Sequence, residues 1–133
     1  MSDEQDTAHD EAPSVAEVHS SSGALQAASV GLTDVGCQRS TNQDALGNLV
    51  NEFADRTDDL GLLYAVADGM GGHARGEVAS ALAIENLFAR FYASDPDVDP
   101  RENLAQVMIA TNSAVHQAGS GHDDRGMGTT LTL

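Results

Sequence analysis

The fold is decided by one stretch, LLYAVADGMGGH, which occupies residues 62–73. Its first part, Leu62 to Ala67, is a continuous apolar run of strand length, which predicts a strand buried on both faces. Asp68 follows directly, and glycines come next. A carboxylate between a buried strand and a glycine loop is a common location for a ligand site. The stretch therefore predicts a central strand with a candidate site at its end.

Shorter strands are predicted on either side of this run. Residues 27–33 alternate loosely, and Asp34 and Gly36 then provide turn chemistry. Another short strand is predicted at residues 45–50, and the pattern TTLTL predicts a last one at residues 129–133. Because natural domains rarely finish inside a strand pattern, we expect the chain to be truncated.

Two helices are predicted between the central run and the last strand. The first covers residues 76–92, and its apolar stripe consists of Ala81, Ile84, Leu87, Phe88 and Phe91. The second begins with Asp99 as N-cap, Pro100 at the first helical position and Glu102 at the third, a capping-box arrangement. Its predicted buried face consists of Leu104, Val107, Met108 and Val115, and Gly119 is the predicted stop.

Charge and composition argue against several classes of protein. The 133 residues contain 21 acidic groups and 6 basic ones, for a formal net charge of −15. Nucleic acids and anionic membranes are bound by clustered Lys and Arg, so neither is expected as a partner. No apolar run is long enough to span a bilayer, and no secretory signal opens the chain. A soluble, cytoplasmic protein is predicted, which agrees with the single cysteine, Cys37.

Residues 1–24 are predicted to form a disordered acidic tail. They carry six carboxylates, no Lys or Arg and few large apolar groups, so little offsets the chain entropy. An acidic docking arm is the alternative. Ordered patterning begins near Leu25, and the ordered domain is predicted to cover residues 25–133.

Two segments carry groups suited to metal and phosphate chemistry. Asp68 is a hard oxygen ligand for Mg²⁺ or Mn²⁺, and Gly69 would let its carbonyl approach the same ion. In the segment TDVGCQRSTNQDA, residues 33–45, Arg39 can hold a phosphate and Asp44 can meet a metal or its bound water. Taken singly, a turn aspartate at position 68 and a surface ion pair of Arg39 are the simpler interpretations.

A different interpretation exists for the glycine segment. GMGGHA, residues 69–74, also fits the G-x-G-x-x-G/A fingerprint of dinucleotide binding. Asp68 would then place a negative charge beside a pyrophosphate, and no second strand ending in an acidic residue follows the helix. A dinucleotide-binding protein is therefore the weakest alternative, and the absence of lysine excludes a Walker P-loop.

Three motifs occur in order along the chain: residues 33–45, residues 64–73 and GMGTTL at residues 126–131. Together they resemble the N-terminal half of the bacterial metal-dependent serine/threonine protein phosphatases, the protein phosphatase 2C family. The resemblance implies an α+β fold, a four-layer α-β-β-α sandwich that is incomplete in this chain. It implies hydrolysis of phosphoserine and phosphothreonine in phosphoproteins, the targets of a serine/threonine kinase in signal transduction.

The resemblance also implies roles for individual residues. Asp68 matches the aspartate that bridges two Mn²⁺ or Mg²⁺ ions, Gly69 the glycine whose carbonyl binds one of them, and Asp44 a further contributor to the metal site. Arg39 matches the arginine that holds the substrate phosphate, while the metals activate a water that attacks phosphorus. His73 is a candidate proton donor to the leaving oxygen, and a hydrogen bond that orders the loop is an equal alternative.

The sequence departs from the family pattern at several points. Gln43 replaces the Glu seen in many members, and Arg75 stands where a glycine is common. Two further metal-binding aspartates and a Gly-Asp-Ser strand of the family are missing from this sequence. Two alternatives follow: an inactive fragment, or a pseudophosphatase-like regulatory or binding module.

Overall fold

Helices and antiparallel strands make up the residues that the computed structural model describes, which are 14–17, 28–47, 51–70, 75–120 and 126–133. In chain order the elements are β1 (Ser14–Glu17), β2 (Ala28–Gly31), β3 (Asp44–Gly47), a 3₁₀ helix (Asn51–Arg56), α1 (Thr57–Leu60), β4 (Ala65–Met70), α2 (Arg75–Tyr92), α3 (Pro100–Gly119) and β5 (Gly128–Thr129). The fold is α+β, as predicted.

β4 is the central strand of a three-stranded antiparallel sheet with the order β3-β4-β5. The β3 register pairs Asp44 with Asp68 and continues to the end of the strand. On the other side Gly69 pairs with Thr129, and an isolated bridge joins Val66 to Thr132. The central strand is thus found close to its predicted place, although it starts three residues later and includes the aspartate and the first glycine.

The two faces of β4 differ in burial. Ala65, Ala67 and Gly69 are buried, whereas Val66, Asp68 and Met70 are exposed. The prediction of a strand buried on both faces is wrong, because α2 covers only one face of the sheet. The buried positions of β4 hold two alanines and a glycine, whereas the exposed positions include Val66 and Met70. Hydrophobicity therefore does not alternate along the strand, and the sequence does not show which face is buried.

α2 packs along the covered face of the sheet. Its buried row runs at four-residue spacing through Ala79, Ala83, Leu87 and Phe91. Gly47 of β3 makes room for this helix, since a Cβ at that position would overlap the ring of Phe88. The predicted stripe is confirmed at Leu87, Phe88 and Phe91, and it is wrong at Ala81, which is exposed because it lies beside the buried row.

α3 begins as predicted. Asp99 Oδ1 accepts the backbone N–H groups of Arg101 at 2.9 Å and Glu102 at 3.2 Å, and Pro100 is the first helical residue. The Glu102 carboxylate bonds along the helix instead, accepting from Gln106 at 3.3 Å. The buried residues are Asn103, Val107, Thr111 and Val115. Met108 was predicted to be buried, but it is 39% exposed, since the buried row again follows four-residue spacing.

β1 and β2 form a separate antiparallel pair in which Ser14 lies opposite Gly31. β1 lies within residues 1–24, so at these four residues the structure differs from the predicted disordered tail. The other residues of that segment lie outside the described part of the chain, and the division into tail and domain stays a prediction. No described helix is both long and apolar enough to cross a membrane. The cytoplasmic location also stays a prediction.

Candidate active site

Two carboxylates face each other across neighbouring strands. Asp44 is the first residue of β3, and the register places it directly opposite Asp68 of β4. Both residues are exposed, on the sheet face that α2 leaves uncovered. Like charges at opposite strand positions repel each other, and a bound divalent cation would relieve that repulsion. The register shows that Asp68 lies inside β4, opposite Asp44, and not in a turn that follows the strand.

Two threonines of β5 and its continuation hold the backbone of Asp68. The Asp68 N–H donates to Thr130 Oγ1 at 3.2 Å. The Asp68 carbonyl accepts both the Thr130 N–H and the Thr129 hydroxyl, each at 2.9 Å. The sequence places these threonines in a motif but does not reveal their hydrogen bonds to Asp68. Two adjacent threonines at the start of the pattern TTLTL were the available signal.

Side-chain hydrogen bonds order the loop that leads to Asp44. The Asp44 N–H donates to Asn42 Oδ1 at 3.1 Å, and the Asn42 amide donates to Thr33 Oγ1 at 2.8 Å. The predicted turn is present at Gly36, whose φ is 71° and whose N–H donates to Asp34 Oδ1 at 2.6 Å. The loop before Asp44 is thus held by hydrogen bonds near its start, at Thr33, and near its end, at Asn42.

Arg39 lies on this loop with an exposed side chain. Its Nη1 donates to the side-chain carbonyl of Gln43 at 3.5 Å. Within the described residues Arg39 forms no ion pair, so the simpler interpretation of a surface salt bridge is not supported there. An exposed guanidinium that has no carboxylate partner among the described residues can bind an anion.

Gly69 brings the start of α2 close to the two carboxylates. Its N–H donates to the Gln43 carbonyl at 3.0 Å, beside Asp44. A Cβ on Gly69 would overlap the backbone carbonyl of Gly76 in the first turn of α2. Glycine is therefore required at position 69 by packing alone, and its role as a metal ligand stays a prediction.

The donor set fits a hard divalent cation only in part. The oxygens of Asp44 and Asp68 suit Mg²⁺ or Mn²⁺, but such ions take six or more ligands. Among the described residues no group of three or more His, Cys, Asp and Glu side chains is placed to hold a metal. His73 and the glycine loop at 71–74 lie outside the described residues. The antiparallel sheet argues against dinucleotide binding, which uses parallel strands.

Comparison with known proteins places the chain near one family of phosphatases. A profile of the family described as protein phosphatase 2C matches residues 37–133. The protein phosphatase PhpP of Streptococcus pneumoniae is 40% identical over 104 residues, which are 77% of this chain and 40% of the relative. The serine/threonine protein phosphatase PstP of Mycobacterium tuberculosis is 49% identical over 71 residues, which are 53% of this chain and 14% of the relative.

Solved structures show the same likeness. The serine/threonine phosphatase PstP/Ppp of Mycobacterium tuberculosis superposes with a TM-score of 0.57 at 39% identity, over 74% of this chain and 37% of that one. The PPM Ser-Thr phosphatase MsPP of Mycobacterium smegmatis, in complex with cacodylate, gives a TM-score of 0.56 at 33% identity, over 92% and 38%. The chain spans about 40% of the length of PhpP and of the two solved structures, and 14% of the full length of PstP. From its three motifs, its antiparallel sheet and these matches, the chain belongs to the protein phosphatase 2C family.

Proposed function

We propose that the protein carrying this chain hydrolyses phosphoserine and phosphothreonine in other proteins with the help of divalent metal ions. The observation that carries the proposal is the placement of Asp44 opposite Asp68 on an exposed sheet face, with both backbones held by hydrogen bonds. The names of the relatives support it, since PhpP is a protein phosphatase and PstP a serine/threonine protein phosphatase.

Asp44, Asp68 and the carbonyl of Gly69 would hold Mn²⁺ or Mg²⁺. When bound, two such ions activate water as a nucleophile and offset the charge that develops on the phosphoryl oxygens. The contribution of this chain is to fix the two carboxylates against each other. The register of β3 and β4 does so, and the threonine hydroxyl contacts to Asp68 reinforce it.

Arg39 would hold the substrate phosphate. Its planar guanidinium can donate two parallel hydrogen bonds to phosphoryl oxygens, and its exposure leaves it accessible to a group on another protein. His73 remains a candidate for protonating the leaving oxygen. Its position outside the described residues leaves both that role and the loop-ordering alternative as predictions.

The substrate class follows from the open setting of the site. Asp44 and Asp68 are both exposed on the same face of the sheet among the described residues. Such a surface can receive a phosphorylated side chain that is itself attached to a folded protein. We propose phosphoproteins, the targets of a serine/threonine kinase, as substrates.

The test is hydrolysis of a phosphothreonine peptide by the full-length protein as Mn²⁺ is titrated. Asp68→Asn is expected to lower kcat by about 100-fold or more, because it weakens metal binding and reduces the charge that holds the ions. Arg39→Ala is expected to act mainly on KM, raising it about tenfold, because it removes a phosphate contact. Asp58→Asn, which removes an exposed carboxylate in α1, is the matched control and should change neither constant. Hydrolysis without added metal, or tight NAD binding without hydrolysis, would contradict the proposal.

A further inference from the structure

Gln43 is anchored to two elements at once. Its backbone carbonyl accepts the N–H of Gly69, which lies in the central strand, at 3.0 Å. Its side chain lies against the first turn of α2, where a Cβ on Gly76 would come within 2.9 Å of the Gln43 amide carbon. A Cβ at position 76 would therefore crowd this side chain and the Gly69 backbone, 3.0 Å away. Gln43 is half-buried, as are Thr41 and Asn42 before it, whereas residues 32–40 of the loop are exposed.

Arg39 is bonded to this anchored side chain. The guanidinium of Arg39 is exposed, and its contact within the described residues is the hydrogen bond from Nη1 to Gln43 Oε1. A long, exposed arginine side chain ordinarily samples many rotamers. A half-buried acceptor 3.5 Å from its tip favours some of those rotamers, and thereby reduces the entropy that is lost when the guanidinium binds a ligand.

We infer that Gln43 is a positioning residue for Arg39, directing its guanidinium for phosphate binding while leaving its positive charge unneutralised. The inference rests on the proposed function, since it takes Arg39 as the phosphate-binding residue. The amide carbonyl of Gln43 accepts a hydrogen bond but carries no net charge. A glutamate at this position would form a salt bridge with Arg39 and compete with the substrate phosphate for the same guanidinium.

A metal-related role is the rival explanation, because Gln43 directly precedes Asp44. The two explanations predict different effects for Gln43→Glu. If Gln43 acts through Arg39, the added charge weakens phosphate binding, and this effect requires Arg39. If Gln43 acts on the metal, the added charge shifts the Mn²⁺ concentration needed for activity, whether or not Arg39 is present.

The experiment compares Gln43→Glu, Arg39→Ala and the double variant in the full-length protein, with a phosphothreonine peptide as substrate. Gln43→Glu is expected to raise KM about fivefold with kcat nearly unchanged, the size of effect that a partly exposed ion pair produces. In the Arg39→Ala background, the same substitution should change KM by less than about twofold. Gln38→Glu places the same charge directly beside Arg39 in the exposed turn, and it is the control for a general charge effect on the loop.

A second readout is independent of turnover. Inorganic phosphate is titrated while the arginine side-chain N–H signals are followed by NMR, and Gln43→Glu should weaken phosphate binding about fivefold. If the wild-type protein binds phosphate in this way but hydrolyses nothing, the proposed function fails and the inference on Gln43 survives. An equal rise in KM in the absence of Arg39, or a changed Mn²⁺ requirement with unchanged phosphate binding, would overturn the inference.

Discussion

At the scale of single residues, Tyr92 is the side chain that ties the core to the segment before the central strand. Its hydroxyl accepts the Leu63 N–H at 3.1 Å and donates to the Gly61 carbonyl at 3.3 Å. Its ring stacks on Phe53 with centroids 5.0 Å apart and meets the edge of Phe91 at 5.1 Å. Burial raises the pKa of Tyr92 above 10.0, although the hydrogen bond from Leu63 opposes that shift. Helical periodicity did not identify this residue, because its partners lie about thirty positions earlier in the chain.

The raised pKa of Tyr92 has a consequence for stability at alkaline pH. The folded state holds the phenolic proton more tightly than the unfolded state, so stability is complete below pH 10 and is lost as the pH rises through the folded-state pKa. Urea unfolding between pH 8 and about 11 should therefore show a falling free energy of unfolding. Tyr92→Phe should abolish this component and should cost about 1–3 kcal/mol at neutral pH, because the buried Leu63 N–H loses its acceptor. Tyr64→Phe is the comparison: repulsion between the two phenolates adds to the raised pKa of Tyr92, so this variant should weaken the alkaline component without abolishing it, and its complete loss there would contradict the assignment.

At the scale of elements, the contact between α2 and the sheet depends on two glycines. Gly69 in β4 and Gly76 in the first turn of α2 are both buried, and each occupies the space that a Cβ on the other would need. Backbone therefore packs directly on backbone at the end of the sheet where Asp68 and Asp44 lie. The position of the helix and the geometry of the candidate site are set by the same contact.

Gly76→Ala should destabilise the protein, although alanine is the better helix former. Helix propensity alone would predict a gain of about 1 kcal/mol. A Cβ at this position would instead lie 2.9–3.0 Å from the Gln43 side chain and the Gly69 backbone, and we expect a net loss of about 1–3 kcal/mol. Thermal unfolding measures the effect, with Ala81→Gly at an exposed position of the same helix as the calibration of propensity. A stabilised Gly76→Ala variant would show that the close contact is not present in solution.

The elements differ in how far they could be predicted from the sequence. The start of α3 could be predicted because its cap involves only Asp99 and the two residues that bond to it. The exposure of Ala81 and Val66 could not be predicted, because it depends on which element packs against each face of the helix and the sheet. The hydrogen bonds that hold Asp68 were also out of reach, because Thr130 lies 62 positions away. Family resemblance implied only that Asp44 and Asp68 contribute to the same metal site, and their pairing was not predicted, because spacing along the chain does not determine strand register.

At the scale of the whole molecule, two regions of the described residues are incompletely packed: one face of the sheet, and the space between α3 and β5. On the face that carries Asp44 and Asp68, Val66 is 48% exposed and Met70 is 56% exposed. A cavity of about 410 Å³ lies between α3 and β5, and the buried hydroxyl of Thr111, which lines it, has no hydrogen-bond partner among the described residues. Native cores rarely leave such groups unsatisfied, so we expect the 133-residue chain by itself to be only marginally stable.

The open face should make the isolated 133-residue chain associate and bind hydrophobic dyes. Exposed apolar strand residues favour contact with other molecules. Val66→Thr removes apolar surface from this face while keeping a branched side chain suited to a strand, and it should reduce both dye fluorescence and association. Val78→Thr, at a valine of α2 that is 51% exposed, is the matched control and should leave both signals unchanged. Equal effects of the two substitutions would show that the sheet face has no special role.

The placement of Asp44 opposite Asp68 would link the lifetime of the protein to the concentration of divalent metal ions. Two like charges at facing strand positions work against the sheet that contains them, and a cation bound between them favours the folded state by mass action. If the proposed cation binds there, a shortage of divalent ions would leave a larger fraction of the molecules unfolded, and proteases would degrade that fraction. The amount of protein in the cell, and not only the rate at which each molecule works, would then follow the supply of metal.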